Sequence, residues 1–124
     1  MKFKKNTAHI PKLKENIFKI DKNIRFITII DSKGRLIENQ HREDIKSMLN
    51  KKESNHSIKQ ITRFWKDNQD LFKKFGYPKY AIIEYEKIKR IVLALNDKEL
   101  LYISTEPASN HKKIISKIFD LYFS

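Results

Sequence analysis

Glu84 and Glu86 stand two apart in "YAIIEYEKIKRIVLAL", a stretch whose β-branched and aromatic content reads as strand. Alternate strand residues share a face, so this spacing could set two carboxylates over one substrate or one cation. Lys87, Lys89 and Arg90 follow directly. Opposite charges on neighbouring strands pair with each other, and cross-strand ion pairing is the expectation here, not acid–base catalysis. Asp31 beside Ser32 has the residue types of a nucleophile site, but turn formation accounts for both. His9, His41, His56 and His111 form neither an HxxxH nor an HExxH spacing, and the chain has no cysteine, so no zinc site is expected. His56 and His111 are read as solvated groups near helix starts. No GxxxxGK[ST], GxGxxG or GxSxG occurs, and two glycines do not make a phosphate-cradling loop. The chain is read as a non-enzyme with no cofactor.

A different chemistry is carried by "HSIKQITRFWKDNQDLFKKF", residues 56–75. At about 100° per residue, Ile58, Ile61, Phe64, Trp65, Leu71, Phe72 and Phe75 fall on one side of a helix. Lys59, Arg63, Lys66, Lys73 and Lys74 fall on the other, interrupted by Asp70. Aromatic rings among cations could stack bases beside phosphate contacts. Here the two sets lie on opposite faces, so the aromatic face is read as core or dimer seam. The cationic face is free to touch phosphates or to be an ordinary solvated surface.

Charge over the whole chain is lopsided. Twenty-seven Lys+Arg face 15 Asp+Glu, a net +12, in 124 residues. Residues 1–23 hold seven basic and two acidic groups, and residues 51–78 hold seven and three. This balance favours nucleic acid, an anionic membrane surface or an acidic protein as partner, unless it reflects a general Lys/Ile-rich bias. No apolar run approaches the ~18 residues of a membrane span. "MKFKKNTAHIPKLKEN" lacks the apolar middle of a signal peptide. A soluble cytoplasmic protein is the expectation, with one domain over residues 10–124 behind a basic, aperiodic and disordered segment 1–9.

The elements that must position these groups read in order. Ile10, Leu13, Ile17 and Ile20 predict a helix over 10–22. "NIRFITIID" predicts a strand covered on both faces, since Ile27, Ile29 and Ile30 leave little polar alternation. In "DSKG", Asp31 can accept local N–H bonds and Gly34 can take positive φ, the chemistry of a short hairpin loop. "RLIEN" returns as a strand. Ile45, Met48 and Leu49 predict a short helix over 42–50, with Glu43 and Asp44 near its start. The helix 56–75 stops at Gly76 and Pro78. Three strands follow, at 79–86, 88–95 and 99–104. A last helix buries Ile114, Ile115, Ile118, Phe119 and Tyr122, with Thr105 or Ser109 as its cap. The fold class is α+β, a five-stranded antiparallel sheet with helices on both faces.

This order resembles the roadblock/LC7 and profilin-like group, carried by "IRFITIIDSKGRLI", "YAIIEYEKIKRIVLALNDKELLYIST" and the helix after them. "KIKRIVLAL" followed by "LLYISTEP" also resembles a family of small archaeal proteins of unknown function. The likeness covers about residues 10–123. It implies binding rather than catalysis. Roadblock-like domains dimerise through their third strands and crossover helices, and scaffold or regulate small GTPases, motors or signalling complexes. Carried over, the dimer edge is Tyr80, Ile82 and Glu84, flanked by Phe64, Trp65 and Phe72. Strong basicity and a split crossover segment (42–50, then 56–75) depart from the family's pattern.

Three functions follow, in order. The first is a homodimeric protein-interaction module, scaffolding or regulatory, resting on an apolar edge at Tyr80–Tyr85. The second is a nucleic-acid-associated protein using Lys2, Lys4, Lys5, Lys59, Arg63 and Lys66 on phosphates. The third is a small-molecule-sensing profilin-like domain, which needs an interior cavity. The high Ile, Leu and Phe content predicts a filled core instead.

Overall fold

A computed structural model describes residues 10–122, with side chains from Lys14 onward. The expected basic segment 1–9, with Lys2, Lys4 and Lys5, lies outside the described residues. The order is α1 (Ile10–Phe18), β1 (Ile24–Asp31), β2 (Leu36–His41), α2 (Lys51–Asp67), α3 (Gln69–Phe75), β3 (Tyr80–Glu84), β4 (Lys89–Asn96), β5 (Glu99–Thr105) and α4 (His111–Tyr122). The strands form one antiparallel sheet in the order β2-β1-β5-β4-β3.

Both faces of the central strands are buried, as the unbroken apolar run of β1 predicts. Ile27, Ile29, Ile91, Leu93, Leu101 and Ile103 pack with Ile17 of α1 and with Ile114, Ile115 and Ile118 of α4. Ile30, Val92, Ala94 and Leu100 point the other way, to Ile61 of α2, with Ile58 and Trp65 alongside. Alternation of period two sends neighbours in one strand to different helical layers. The first layer is the thicker one and the second is thin.

The β1–β2 turn forms as its residues dictate. Gly34 has φ 81°. Its N–H donates to the Asp31 carbonyl at 3.0 Å. The Asp31 carboxylate accepts from the backbone N–H of Lys33 and of Arg35, each at 2.9 Å, and from Arg35 Nε at 2.7 Å. The tip tucks under α2, so a Cβ at Gly34 would sit 3.1 Å from Thr62 Oγ1. That hydroxyl is itself held by the Ile58 carbonyl at 2.9 Å.

Two expectations about helices are corrected. Residues 42–50 form no helix. Asp44 takes positive φ (66°), and the Lys46 carbonyl accepts from Arg25 Nη2 at 2.9 Å. The Asn50 N–H, which a helix would aim at that carbonyl, donates to Glu53 Oε1 at 3.0 Å. Asn50 Oδ1 accepts from the Glu53 N–H in return at 2.9 Å, a capping box that starts α2 at Lys51. The expected helix 56–75 is two helices, parted at Asn68, whose Nδ2 donates to the Phe64 carbonyl at 2.7 Å. Gly76 ends α3 at φ 82°, with its N–H on the Phe72 carbonyl at 2.8 Å.

Long-range ties fix the ends of the first layer. Arg42 stacks on Phe18 and donates to the carbonyls of Phe18, Asp21 and Ile24 at 2.8–2.9 Å, serving the C-terminal end of α1. The Asp21 carboxylate accepts from the N–H of Asn23 at 2.8 Å and of Asn110 at 3.0 Å. Asn110 in turn caps α4, its Oδ1 accepting the Lys113 N–H at 3.0 Å. Neither Thr105 nor Ser109 does so. Their hydroxyls bond each other at 2.7 Å in a buried turn.

Two predictions follow from these contacts. Gly34→Ala forces a side chain into left-handed backbone against an anchored hydroxyl, and should lower unfolding free energy by about 1–2 kcal/mol in urea titration. The Asp21 carboxyl loses some solvation, yet the N–H groups of Asn23 and Asn110 hold it below its ordinary value. A carboxyl with its folded pKa depressed contributes stability above the ordinary carboxylate range and loses it as pH falls through the folded value. Asp21→Asn should therefore flatten the acid limb of thermal stability, measured from pH 6 down to about pH 3.

Candidate functional site

Edge strands expose unpaired backbone groups, so the two edges of the sheet are where a partner strand could add. The β2 edge, "LIENQH", is largely polar and exposed, and Glu38 is tied to Lys14 at 3.1 Å. The β3 edge is apolar. Its Tyr85 N–H donates to the Ile88 carbonyl at 2.8 Å. Counting back by twos, Ile83 and Ala81 turn their backbone groups to β4, and Tyr80, Ile82 and Glu84 turn theirs outward.

The expected edge residues keep this free backbone, but their side chains take the face opposite to Phe64, Trp65 and Phe72. Ile82 packs against the α1/α4 core, and the Tyr80 ring lies 6.3 Å from that of Phe119. The β3 residues on the α2 face are Ala81, which is half-buried, and Ile83, which is 51% exposed, with Tyr85 beyond them at 46%. Sequence reasoning missed this set. Strict alternation along the strand was the signal that could have found it.

Phe64 is 53% exposed and Phe75 is 81% exposed. They flank an apolar groove of about 190 Å³ with Trp65, Leu71, Phe72 and Tyr77, cut by the break between α2 and α3. Trp65 and Phe72 are the half-buried members, and Trp65 packs against Ile61 and its neighbours. Phe72 and Tyr77 hold their rings 5.4 Å apart. Single exposed apolar side chains are ordinary, but a run of them beside a bare strand edge marks an interaction surface.

The cations separate from this patch as expected. Lys59, Arg63 and Lys66 are exposed on α2, and none takes part in an ion pair among the described residues. Three other cations are buried in the sheet. Arg25 meets Glu106 and the Lys46 carbonyl. Lys89 Nζ donates to the Ser109 carbonyl at 2.8 Å and lies 3.0 Å from His111 Nδ1 and 4.0 Å from Glu84 Oε1. His111 is thus a partner of Lys89 rather than merely solvated. Glu84 and Lys89 are register partners across β3 and β4, the pairing read from the sequence. Glu86 lies past the end of β3, and Arg90 faces α2, on the other side of the sheet from Glu84 and with no ion pair to either carboxylate among the described residues. The two glutamates therefore do not act as a pair. No three His, Asp or Glu side chains converge on a metal-sized site among the described residues. No helix there is long and apolar enough to cross a membrane.

No protein-family model matches the sequence, and no curated protein matches it. Solved structures do resemble the fold. A roadblock/LC7 domain from Streptomyces avermitilis superposes with a TM-score of 0.68 at 9% identity, over 89% of this chain and 88% of that one. An MglB described in a tetrameric arrangement gives 0.72 at 14%, over 89% and 81%. LokiProfilin1 in complex with rabbit actin gives 0.55 at 16%, over 93% and 92%. The fold is of the roadblock and profilin-like kind.

If the aromatic patch is surface rather than core, its members should differ sharply in their effect on stability. Phe75→Ala should change unfolding free energy by no more than about 0.5 kcal/mol. Trp65→Ala should cost roughly 2–3 kcal/mol, less than a fully buried ring. Urea denaturation of the two variants checks the contrast.

Proposed function

We propose that this protein is a non-enzymatic interaction module that works as a homodimer, two copies joining through their β3 edges. The apolar, unpaired β3 edge carries the reading. The polar β2 edge offers no comparable surface. Antiparallel pairing about a twofold at Ile82 sets Ile82 against its own copy and Tyr80 against Glu84, so no like charges oppose each other. The patch of Phe64, Phe75, Ile83 and Tyr85 adjoins that seam and would be covered with it. Support also comes from the MglB neighbour, a roadblock-like fold described as a tetrameric arrangement. A dimer of this build extends the sheet across two subunits and leaves the outer helices free to hold other proteins. The resemblance names a small GTPase as one such partner.

The cationic row Lys59, Arg63 and Lys66 projects from α2 without ring partners, and this is a surface for steering an acidic protein as readily as for touching phosphate. The aromatic patch, by contrast, needs a dry partner. Interaction with protein is therefore the reading that uses both surfaces.

Light scattering at tens of micromolar should return about twice the 14.9 kDa chain mass. Ile83→Lys puts a charge at the seam from an exposed position, and should yield a monomer with an unchanged circular dichroism spectrum. A wild-type monomer at that concentration, or an Ile83→Lys dimer of undiminished strength, overturns the proposal.

A further inference from the structure

Arg90 is the exception among the buried cations. It is only 8% exposed, yet among the described residues it meets no carboxylate. Arg25 and Lys89, buried to a similar depth, each have one within 4.0 Å. The Arg90 guanidinium lies 5.4 Å from the centre of the Tyr102 ring and 5.9 Å from that of Tyr85. Nη1 donates to the Tyr85 hydroxyl at 3.0 Å, and the buried Nε has no acceptor among the described residues. Ring faces compensate only a fraction of the hydration a cation gives up. A buried charge with its counter-charge missing is costly to hold, and an external anion would lower that cost.

The space for that anion is present. α2 touches the sheet through Ile58, Ile61 and Trp65, toward its C-terminal half. Its first turns stand off from the sheet. An open cleft of about 900 Å³ lies there, lined by Leu49, His56, Ser57, Ile88, Arg90 and Tyr102 among others. A second space of about 520 Å³ shares Leu49, Ser57, Ile88 and Tyr102 with it and reaches Thr28 and Ser104. Burial pushes the Tyr102 phenol above its ordinary value, opposed by the Arg90 charge and by hydrogen bonding to Ser57 and Arg90. It stays protonated at neutral pH and leaves the Arg90 charge uncancelled. Lys52, Glu53, Glu86 and Lys87 also line the cleft, and the Glu53 carboxylate is engaged by the Asn50 N–H.

We infer that the cleft between α2 and the sheet is a small-molecule site for an oxyanion, a carboxylate or phosphate carried on an apolar body, with Arg90 as its charge partner. A planar guanidinium suits either group through paired N–H donors. Tyr102 and Ser57 offer hydroxyls to the same end of the ligand, and Leu49 and Ile88 take the apolar body. Tyr85 lies over the guanidinium and is 46% exposed, so a modest swing of its ring opens Nε to the incoming oxygen. The site lies within one chain, and Tyr85 is the residue it shares with the patch beside the β3 seam.

The test is a titration of the purified protein with phenyl phosphate and, separately, with phenylacetate, using benzyl alcohol as the uncharged control. The readout is the Arg90 Nε–H resonance in nitrogen-15 spectra, which needs no variant. One of the two anions should move that resonance saturably with one site per chain, and benzyl alcohol should not. The anion that binds tells phosphate from carboxylate. Calorimetry on a folded Arg90→Met variant should show the affinity reduced roughly 10- to 100-fold, the loss of charged hydrogen bonds. No saturable change with either anion at tens of millimolar overturns the inference. Equal binding of benzyl alcohol, or full affinity in Arg90→Met, does so as well.

Discussion

Three adjacent strands that bury both of their faces set the terms for the rest of this molecule. Along β1, β5 and β4, each side chain must find a helical layer, and successive residues must find different ones. A sheet of this kind cannot exist with one layer missing, because half of its Ile and Leu side chains would then face water at roughly 1.5–3 kcal/mol each. The chain therefore spends its first and last helices on one face and its crossover helices on the other. The backbone ties at the ends of the layers, Arg42 on α1 and Asp21 with Asn110 on α4, hold the thick layer in place.

The two layers are not equivalent, and the difference is where function can reside. α1 and α4 cover their face with a continuous set of fully buried side chains. α2 meets the other face at few points, and those lie toward one end. The uncovered end is where the buried polar residues of that face gather: Thr28, Arg90 and Ser104, with Tyr102 half-buried beside them. An apolar sheet surface there would draw the helix down. A polar one is compatible with a cleft. The segment 42–50 contributes as well, since Arg25 draws the Lys46 carbonyl to the sheet and leaves Met48 and Leu49 exposed at the rim.

The same economy explains the β3 edge. β3 is short, five residues, and it pairs only with β4. One of its faces lies on α4 through Ile82 and Tyr80, and on its other face Ile83 is half exposed. The groove at the α2–α3 break continues this bare region. Interaction surface and ligand cleft thus occupy the same layer, and Tyr85 borders both.

By itself the sequence determined the fold class, the succession of five strands along the chain, the Asp31–Gly34 turn, the stop at Gly76 and the separation of the α2 cations from its aromatics. Each rests on local physics: strand alternation, helical period, left-handed glycine, and carboxylate acceptance of nearby N–H groups. It misjudged the segment 42–50, whose apolar spacing suits a helix, because the Lys46 carbonyl is claimed by Arg25, 21 residues away. It made Arg90 a partner of the glutamates, because Glu84 and Arg90 are close in sequence. Only tertiary structure decided which face of the sheet each residue meets, which of three buried cations lacks a carboxylate, and where α2 stands away from the sheet. Those outcomes depend on contacts between residues far apart in the chain, and no local period encodes them.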